Sequence, residues 1–374
     1  MKIKYVENKK DLLRFIKFQW EVYKNDKHWV PQLVSDMLLL LDEQKNLFWK
    51  HAEKKLFYIE DDNGKILGRV AAVVDYNFIK FHNEQTGFFA FFECVNDKNV
   101  SSLLLSSVEM WLKEKGIKKM IGPTAPSTND EMGLLYEGYD SEPFLMMPHN
   151  PKYYHDLVLN YGFKKAKDLY AYLWTNSENL LPIERLNKMV NLVKNKYPEL
   201  KLREVNLKNF SEELKVAVEI YNEAWEKNWG FVPWTEEEFV SQAMRLKPLV
   251  DPKFITFVYL GNEPAGMFIA VPNYNEVLKK LNGKLGLFEI IKFLYYKNKI
   301  KSIRVMIMGV KKKFRNKGFE TVMFLDAINK SLSDGYEKGE FSWILEDNVM
   351  MIRTAEMLGT KIHKKYRVYE KNID

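Results

Sequence analysis

The chain is poor in the residues that mark secreted and metal-stapled folds. It has one cysteine, Cys94, in 374 residues. No disulfide framework can form within it, which fits a reducing, cytoplasmic compartment. Its six histidines are scattered, with no paired ligand spacing, so no metal site is expected. No apolar run reaches the roughly 18 residues that a spanning helix needs. The longest candidates are broken by charges such as Glu289 and Lys292. The start, Met1-Lys2-Ile3-Lys4-Tyr5, is charged and strand-like, and no secretory leader is expected.

What is present points to folded domains. Apolar residues make up 46% of the chain and aromatics 14%, with 24 Phe and 20 Tyr. That composition supports a large aromatic core, and the length suits two domains of ordinary size. The net charge is +7 and the pI near 8.9. This balance favours an anionic partner, whether a nucleotide cofactor, a membrane surface or RNA, without choosing among them.

One segment carries a specific pattern. Ile303 to Val310 reads as a strand. Lys311-Lys312-Lys313-Phe314-Arg315-Asn316-Lys317-Gly318 reads as a basic turn. Phe319, Val322, Met323, Leu325, Ile328 and Leu332 then recur at helical spacing. A helix N-terminus exposes unpaired N–H groups and a partial positive charge, and anions bind there. Gly318 would let the backbone approach a phosphate. The residues alone leave two readings open, a pyrophosphate turn and an ordinary solvated lysine-rich turn.

The two halves repeat one plan. Phe57 to Glu60, the turn Asp62-Asn63-Gly64 and Ile66 to Val74 predict a hairpin, as do Phe254 to Leu260, Gly261 to Pro264 and Ala265 to Val271. Trp29-Val30-Pro31 matches Phe231-Val232-Pro233, Gly68 matches Gly266, and Gly162 matches Gly359, all at nearly the same offset. The expected division is 1–175 for a first domain, 176–200 for a linker helix and 201–374 for a second domain. The first half carries a long loop, Pro123 to Asn150. The second carries an insert, Asn275 to Lys299.

The second half resembles the GCN5-related N-acetyltransferase (GNAT) fold. That family places an R-x-x-G-x-G/A turn between a strand and a helix, where it holds the CoA pyrophosphate. The matching positions here are Arg315, Gly318 and Glu320, the last departing from the family's small residue. Phe341 to Asn348 resembles the family's fifth strand and its Asn. The Tyr general acid that often follows would fall at Ala355 and is missing. The first half resembles the same fold with its turn erased: Val95-Asn96-Asp97-Lys98-Asn99 offers no glycine and no arginine. Asp97 reads there as a helix N-cap.

Over nearly its whole length the chain resembles the bacterial ceramide synthase-like (YghO-like) family of tandem GNAT proteins. The distinctive blocks are Gly122 to Asp140 and Pro148-His149-Asn150-Pro151-Lys152-Tyr153-Tyr154. The resemblance implies an α/β (α+β) fold of two GNAT-like acyl-CoA N-acyltransferase domains, each a mixed central sheet flanked by helices. It implies transfer of an acyl group from acetyl-CoA or a longer acyl-CoA to a primary amine, with a lipid amine of sphingoid type as the acceptor the family suggests. CoA would lie on Met308, Gly309, Val310, Arg315, Lys317, Gly318, Phe319 and Asn348. The catalytic candidates are Glu346, Asn129, Glu131 and Tyr153. Glu346 ends a strand and could take the amine proton. Asn129, Glu131 and Tyr153 lie in or beside the long loop. Capping for the Glu346-Asp347-Asn348 segment and core packing for Tyr153 and Tyr154 are the plainer alternatives.

Leu285 to Lys301 mixes Leu, Ile, Phe and Tyr with Lys292, Lys297, Lys299 and Lys301. Such a helix packs on its domain, or it lies on an anionic bilayer at the inner membrane face. Two rivals change the function. One is a tRNA-dependent aminoacyl transferase of the tandem type, against which no nucleic acid partner is expected, since no long helical hairpin for tRNA is apparent. The other is a non-catalytic protein that binds an acyl ligand. On the leading reading, Gly318→Asp abolishes CoA binding and leaves the chain folded.

Overall fold

Asp61 begins the first hairpin turn and holds it with its own side chain, which accepts the N–H groups of Asn63 and Lys65. Gly64, at φ +78°, supplies the left-handed residue such a turn needs. Around hairpins like this one the computed structural model builds two units. It describes residues 1–176 and 182–373. One unit comprises Met1–Leu169, Asn275–Lys297 and Lys364–Asp374, and the other Tyr170–Tyr274 and Asn298–His363.

In chain order the elements of the first half are β1 (Lys2–Tyr5), α1 (Lys9–Val22), α2 (Val34–Leu40), β2 (Ala52–Glu60), β3 (Ile66–Asp75), α3 (Tyr76–His82), β4 (Thr86–Cys94), α4 (Lys98–Glu114), β5 (Lys119–Ala125), β6 (Glu131–Met132), β7 (Leu134–Glu137), α5 (Tyr154–Asn160) and β8 (Lys164–Thr175). Then follow α6 (Ile183–Lys196), β9 (Leu200–Glu204), α7 (Phe210–Trp225), α8 (Glu236–Leu246), β10 (Ile255–Leu260), β11 (Glu263–Pro272), α9 (Asn275–Leu281), α10 (Leu287–Lys297), β12 (Ser302–Val310), α11 (Phe319–Ser333), β13 (Lys338–Leu345), α12 (Val349–Met357) and β14 (Lys361–Asn372).

The same sheet is built twice. In the first unit β1, β2, β3 and β4 are antiparallel, and β5 joins β4 in parallel after the crossover helix α4. In the second, β9, β10, β11 and β12 are antiparallel, and β13 joins β12 in parallel after α11. The register repeats too: Gly68 lies opposite Cys94, and Gly266 opposite Val310. Both glycines are crowded, because a β-carbon would meet Leu104 at 2.6 Å in one and the Gly309 carbonyl at 2.6 Å in the other.

Each unit takes a strand segment from outside its own half. The first is completed by the chain's last strand, with Tyr369 to Asn372 antiparallel to Gly122 to Lys119. The second draws on β8, whose Tyr172 and Trp174 pack in its core with Phe319, Phe324, Phe341 and Ile344. The expected ranges, 1–175 and 201–374, therefore differ from the units the contacts define. The expected linker helix, α6, packs its buried Leu186 and Val190 in that same core; residues 177–181 lie outside the described part. The insert differs as well. Asn275 donates to the Pro143 carbonyl, the Gly283 carbonyl accepts the Val34 N–H, and Asn282 accepts from the Trp20 indole. These bonds hold α9 and α10 in the first unit.

The long loop is not structureless. β6 pairs with β5, and β7 pairs with Lys365, Tyr366 and Arg367 of β14. Among the described residues no helix is long and apolar enough to cross a membrane.

Candidate functional site

β12 leaves its parallel partner early. Ser302 to Val305 pair with Lys338 to Phe341, and among the described residues the ladder goes no further. Ile307, Met308, Gly309 and Val310 continue along β11 alone, past an irregularity at Met306. A fork therefore opens between β12 and β13, with Met308, Gly309 and Val310 on one arm and Glu346 just beyond the end of the other. Gly309 is close under α7: a β-carbon there would lie 2.4 Å from the Trp225 ring.

The basic turn closes that arm. Lys311 donates its N–H to the Ala265 carbonyl, and one short helical turn, Lys312–Phe314, follows. Asn316 (φ +60°) and Gly318 (φ +82°) then curl the backbone through left-handed conformations. The N–H groups of Asn316, Lys317, Gly318 and Phe319 find no acceptor among the described residues. Gly318 is the N-cap of α11 and brings no capping side chain. A concave set of amides at an uncapped helix start is the arrangement that receives a phosphate. Phe319 is fully buried against Tyr197 and Phe314 and fixes the helix start.

Two features of this turn bear on its affinity for an anion. The first is its charge. Lys311 pairs with Glu219, Lys312 with Glu226, and Lys313 with Glu263. Arg315 donates to the carbonyls of Val310 and Ala224, at 3.3 and 2.8 Å. Glu223 accepts the Lys312 N–H at 2.8 Å. Glu219, Glu223 and Glu226 recur at helical spacing at the end of α7, so the acids form one row along the turn. The lysines are largely neutralised. The ammonium of Lys317 sits over the rings of Phe314 and Tyr197, at 5.4 and 5.7 Å. The second feature is Glu320. Its carboxylate turns back onto its own N–H, and burial raises its pKa against that bond and the nearby charge of Arg315.

Asn348 is the N-cap of α12, with its side-chain oxygen accepting the Met351 N–H at 3.2 Å. That is its plainer reading. Near the root of the fork lies a buried polar cluster that the sequence reading missed. Arg304 lies opposite Glu340 in the β12–β13 ladder. It donates to the hydroxyl and carbonyl of Ser342, at 2.8 and 3.2 Å. The Ser342 hydroxyl donates in turn to Glu340, which also meets Nε2 of His363 at 2.7 Å. The available signal was charge out of place: an arginine and a glutamate inside otherwise apolar strands.

The first unit also forks, and there the chain fills its own fork. The β4–β5 ladder ends at Ala90 and Thr124. At the tip of β4, Tyr154 accepts the Cys94 N–H at 2.9 Å and Tyr153 donates to the Cys94 carbonyl at 2.7 Å. The hydroxyl of Tyr153 is thus bonded to the backbone of β4. Tyr154 donates onward to Glu93, which accepts from Tyr23 and Gln19 as well, with Arg69 3.8 Å away. Burial raises the pKa of Glu93 against all of these partners. The start of α4 is closed too, because Asp97 accepts the N–H groups of Asn99 and Val100. An acidic cap leaves no place for a phosphate.

Asn129 and Glu131 lie in the long loop of this unit. The Asn129 N–H donates to Ser127, and Glu131 accepts from Gln32 at 2.8 Å. Glu346 belongs to the second unit, whereas Asn129, Glu131 and Tyr153 belong to the first. The loop also carries a pair that spacing could not reveal: His149 Nε2 lies 2.8 Å from Asp26, and the other ring nitrogen is buried with no partner among the described residues. Burial lowers the pKa of His149, although Asp26 works to raise it.

The comparisons agree with this duplicated architecture. No protein-family model matches the chain. It is 32% identical to the protein YghO of Escherichia coli over 98% of its own length and 94% of that protein. It is 34% identical to the bacterial ceramide synthase of Caulobacter vibrioides, over 98% of its length and 96% of that protein. Among solved structures, a tandem GNAT protein from the clavulanic acid biosynthesis pathway superposes with a TM-score of 0.60 at 9% identity, covering 100% of this chain and 99% of that one. A GCN5-related N-acetyltransferase from Sphaerobacter thermophilus gives 0.55 at 10% identity, covering 99% and 96%. At these identities the structures establish the fold, a tandem of GNAT domains. With two full-length relatives above 30% identity, the chain belongs to the family of YghO and bacterial ceramide synthase.

Proposed function

We propose that this protein is an acyl-CoA-dependent N-acyltransferase whose donor site lies in the second unit. The observation that carries the proposal is the turn after β12, where the N–H groups of Asn316, Lys317, Gly318 and Phe319 have no acceptor among the described residues. A pyrophosphate fits that donor set, and the first unit, capped by Asp97, offers no equivalent. Bound acyl-CoA would supply the thioester carbonyl. The arm of β12 from Met308 to Val310 would lie beside the chain that carries it, and an N–H there could polarise the carbonyl. The amine would attack that carbonyl, the new C–N bond replacing the C–S bond as CoA leaves as its thiolate, and the amine must give up a proton. Glu346, at the end of the other arm, is the proposed base.

The acceptor we propose is a lipid amine of sphingoid type, on the strength of the relative named a ceramide synthase. The test is calorimetric titration of the purified protein with CoA, acetyl-CoA and palmitoyl-CoA, followed by an amide-formation assay with a long-chain amine. Binding of all three, tightest for palmitoyl-CoA, with turnover of the long-chain amine, supports the proposal. Equal affinity would move it to small acyl groups. Absence of binding would overturn it.

A further inference from the structure

α10 is amphipathic the wrong way round for a surface helix. At 100° per residue, Ile290, Leu294, Leu287, Ile291, Tyr295 and Phe288 fall in that order along an arc of about 160°. All six face outward: Leu287 is 82% exposed, Phe288 77%, Ile291 65%, Tyr295 59%, Leu294 52% and Ile290 44%. The half-buried residues are Glu289, Phe293 and Tyr296, on the opposite side. Lys292 borders one edge of the arc and Lys297 the other, and both are exposed. The helix therefore buries its mixed face and shows its apolar one. Scattered apolar residues on a surface need no explanation, but a continuous stripe this exposed does.

We infer that α10 is a docking surface for an anionic lipid bilayer. The charges select that occupant. From Lys280 to Lys297 the chain carries Lys280, Lys284, Lys292 and Lys297 against the single acid Glu289, and that carboxylate turns back to the Gly286 N–H at the helix start. Lysines at both borders of an apolar arc can lay their stems along it and lift their heads to the phosphate level of a bilayer. Phe288 and Tyr295 suit the same interface. A second copy of the chain is disfavoured, because a symmetric contact through this stripe would bring Lys292 and Lys297 against the same lysines of the partner. The helix is also anchored for the task. Asn282 and Gly283, just before it, are bonded to Trp20 and Val34, so the face is held on the unit and not on a loose tether. This inference is independent of the donor-site proposal.

The test is co-sedimentation of the full-length protein with vesicles of equal parts phosphatidylglycerol and phosphatidylcholine, and with vesicles of phosphatidylcholine alone. Light scattering of the same samples gives the oligomeric state. Binding to the anionic vesicles is expected, at least tenfold weaker on the neutral ones. It should be lost in Leu287→Glu/Ile291→Glu and weakened by Lys292→Glu/Lys297→Glu, with unchanged thermal midpoints, since all four side chains are exposed. Failure of the wild-type protein to bind anionic vesicles would overturn the inference, as would binding that survives both double variants. A dimer that the first pair of substitutions abolishes, without vesicle binding, would reassign the face to self-association. Vesicle binding is measured without CoA, so a protein that docks but binds no CoA would sink the donor-site reading alone.

Discussion

A β-carbon placed on Gly318 would lie 2.7 Å from Cγ2 of Val193. Val193 belongs to α6, which packs along α11, and Gly318 is already in a left-handed conformation at φ +82°. Any side chain there meets two penalties, backbone strain and a clash with a packed neighbour. Gly318→Asp is therefore more than a phosphate-repelling change. It should abolish CoA binding and also lower stability by ~1–3 kcal/mol. Gly318→Ala should show the structural part alone, and Val193→Ala in the same chain should restore part of it. Thermal melts of the three variants beside a CoA titration separate the effects. An unshifted midpoint for Gly318→Ala would mean that the turn is looser than its contacts suggest.

Glu320 makes the opposite prediction. Its carboxylate lies at the start of α11, beside the turn proposed to take the pyrophosphate. Glu320→Ala should tighten CoA binding by about two- to fivefold, the scale of one like charge removed from a helix terminus. Burial raises the Glu320 pKa, so lowering the pH neutralises the wild-type carboxylate. The gap between wild type and variant should close on acidification. Calorimetry at neutral and mildly acidic pH checks both statements; a variant that binds CoA more weakly would show Glu320 to be a helper.

Much of this architecture is legible in the sequence. The strand, turn and helix from Ser302 to Ser333 followed from periodicity, and so did both hairpins. The repeat was legible because Gly68 and Gly266 do the same packing job in the same register. What stayed hidden depends on non-local pairing. Nothing in β14 announces that Tyr369 to Asn372 complete the first unit's sheet, because a strand carries its pattern of faces but not the address of its partner. The acids that neutralise Lys311 and Lys312 come from α7, some ninety residues away in sequence. A lysine-rich turn thus reads as positive until Glu219 and Glu226 are placed beside it. His149 looked isolated for the same reason, since Asp26 lies far upstream.

The Arg304–Ser342–Glu340 cluster should behave as a unit. Arg304 is 4% exposed and Glu340 0%, so neither can turn to water if the cluster is cut. Glu340→Ala should destabilise the protein by ~3–5 kcal/mol, the cost of leaving a buried charge without compensation. Arg304→Met/Glu340→Met should lose less than the sum of the single changes, because both residues act through Ser342 in one buried network. Denaturant midpoints for the two single variants and the double variant test this. Additive losses would mean that the residues do not share a network.

Acid should weaken the first unit through two histidines. Burial lowers the pKa of His149 and of His155, so both are held neutral in the folded chain. The unfolded chain binds those protons near pH 6.5, and the folded chain does so only at lower pH. Stability is therefore complete above about pH 6.5 and falls as the pH drops towards the folded values, by at most ~1.4 kcal/mol per pH unit for each histidine. Asp26 adds a second, lower window. Burial pushes its pKa up, but the bonds from His149 and from the His28 and Trp29 backbone outweigh it and the net shift is downward. Its contribution is present above about pH 3.8 and fades as the pH falls through the folded value. His149→Gln and His155→Gln should each flatten the thermal midpoint between about pH 6.5 and pH 5. A profile that keeps its full slope in the double variant would place the acid sensitivity in other groups.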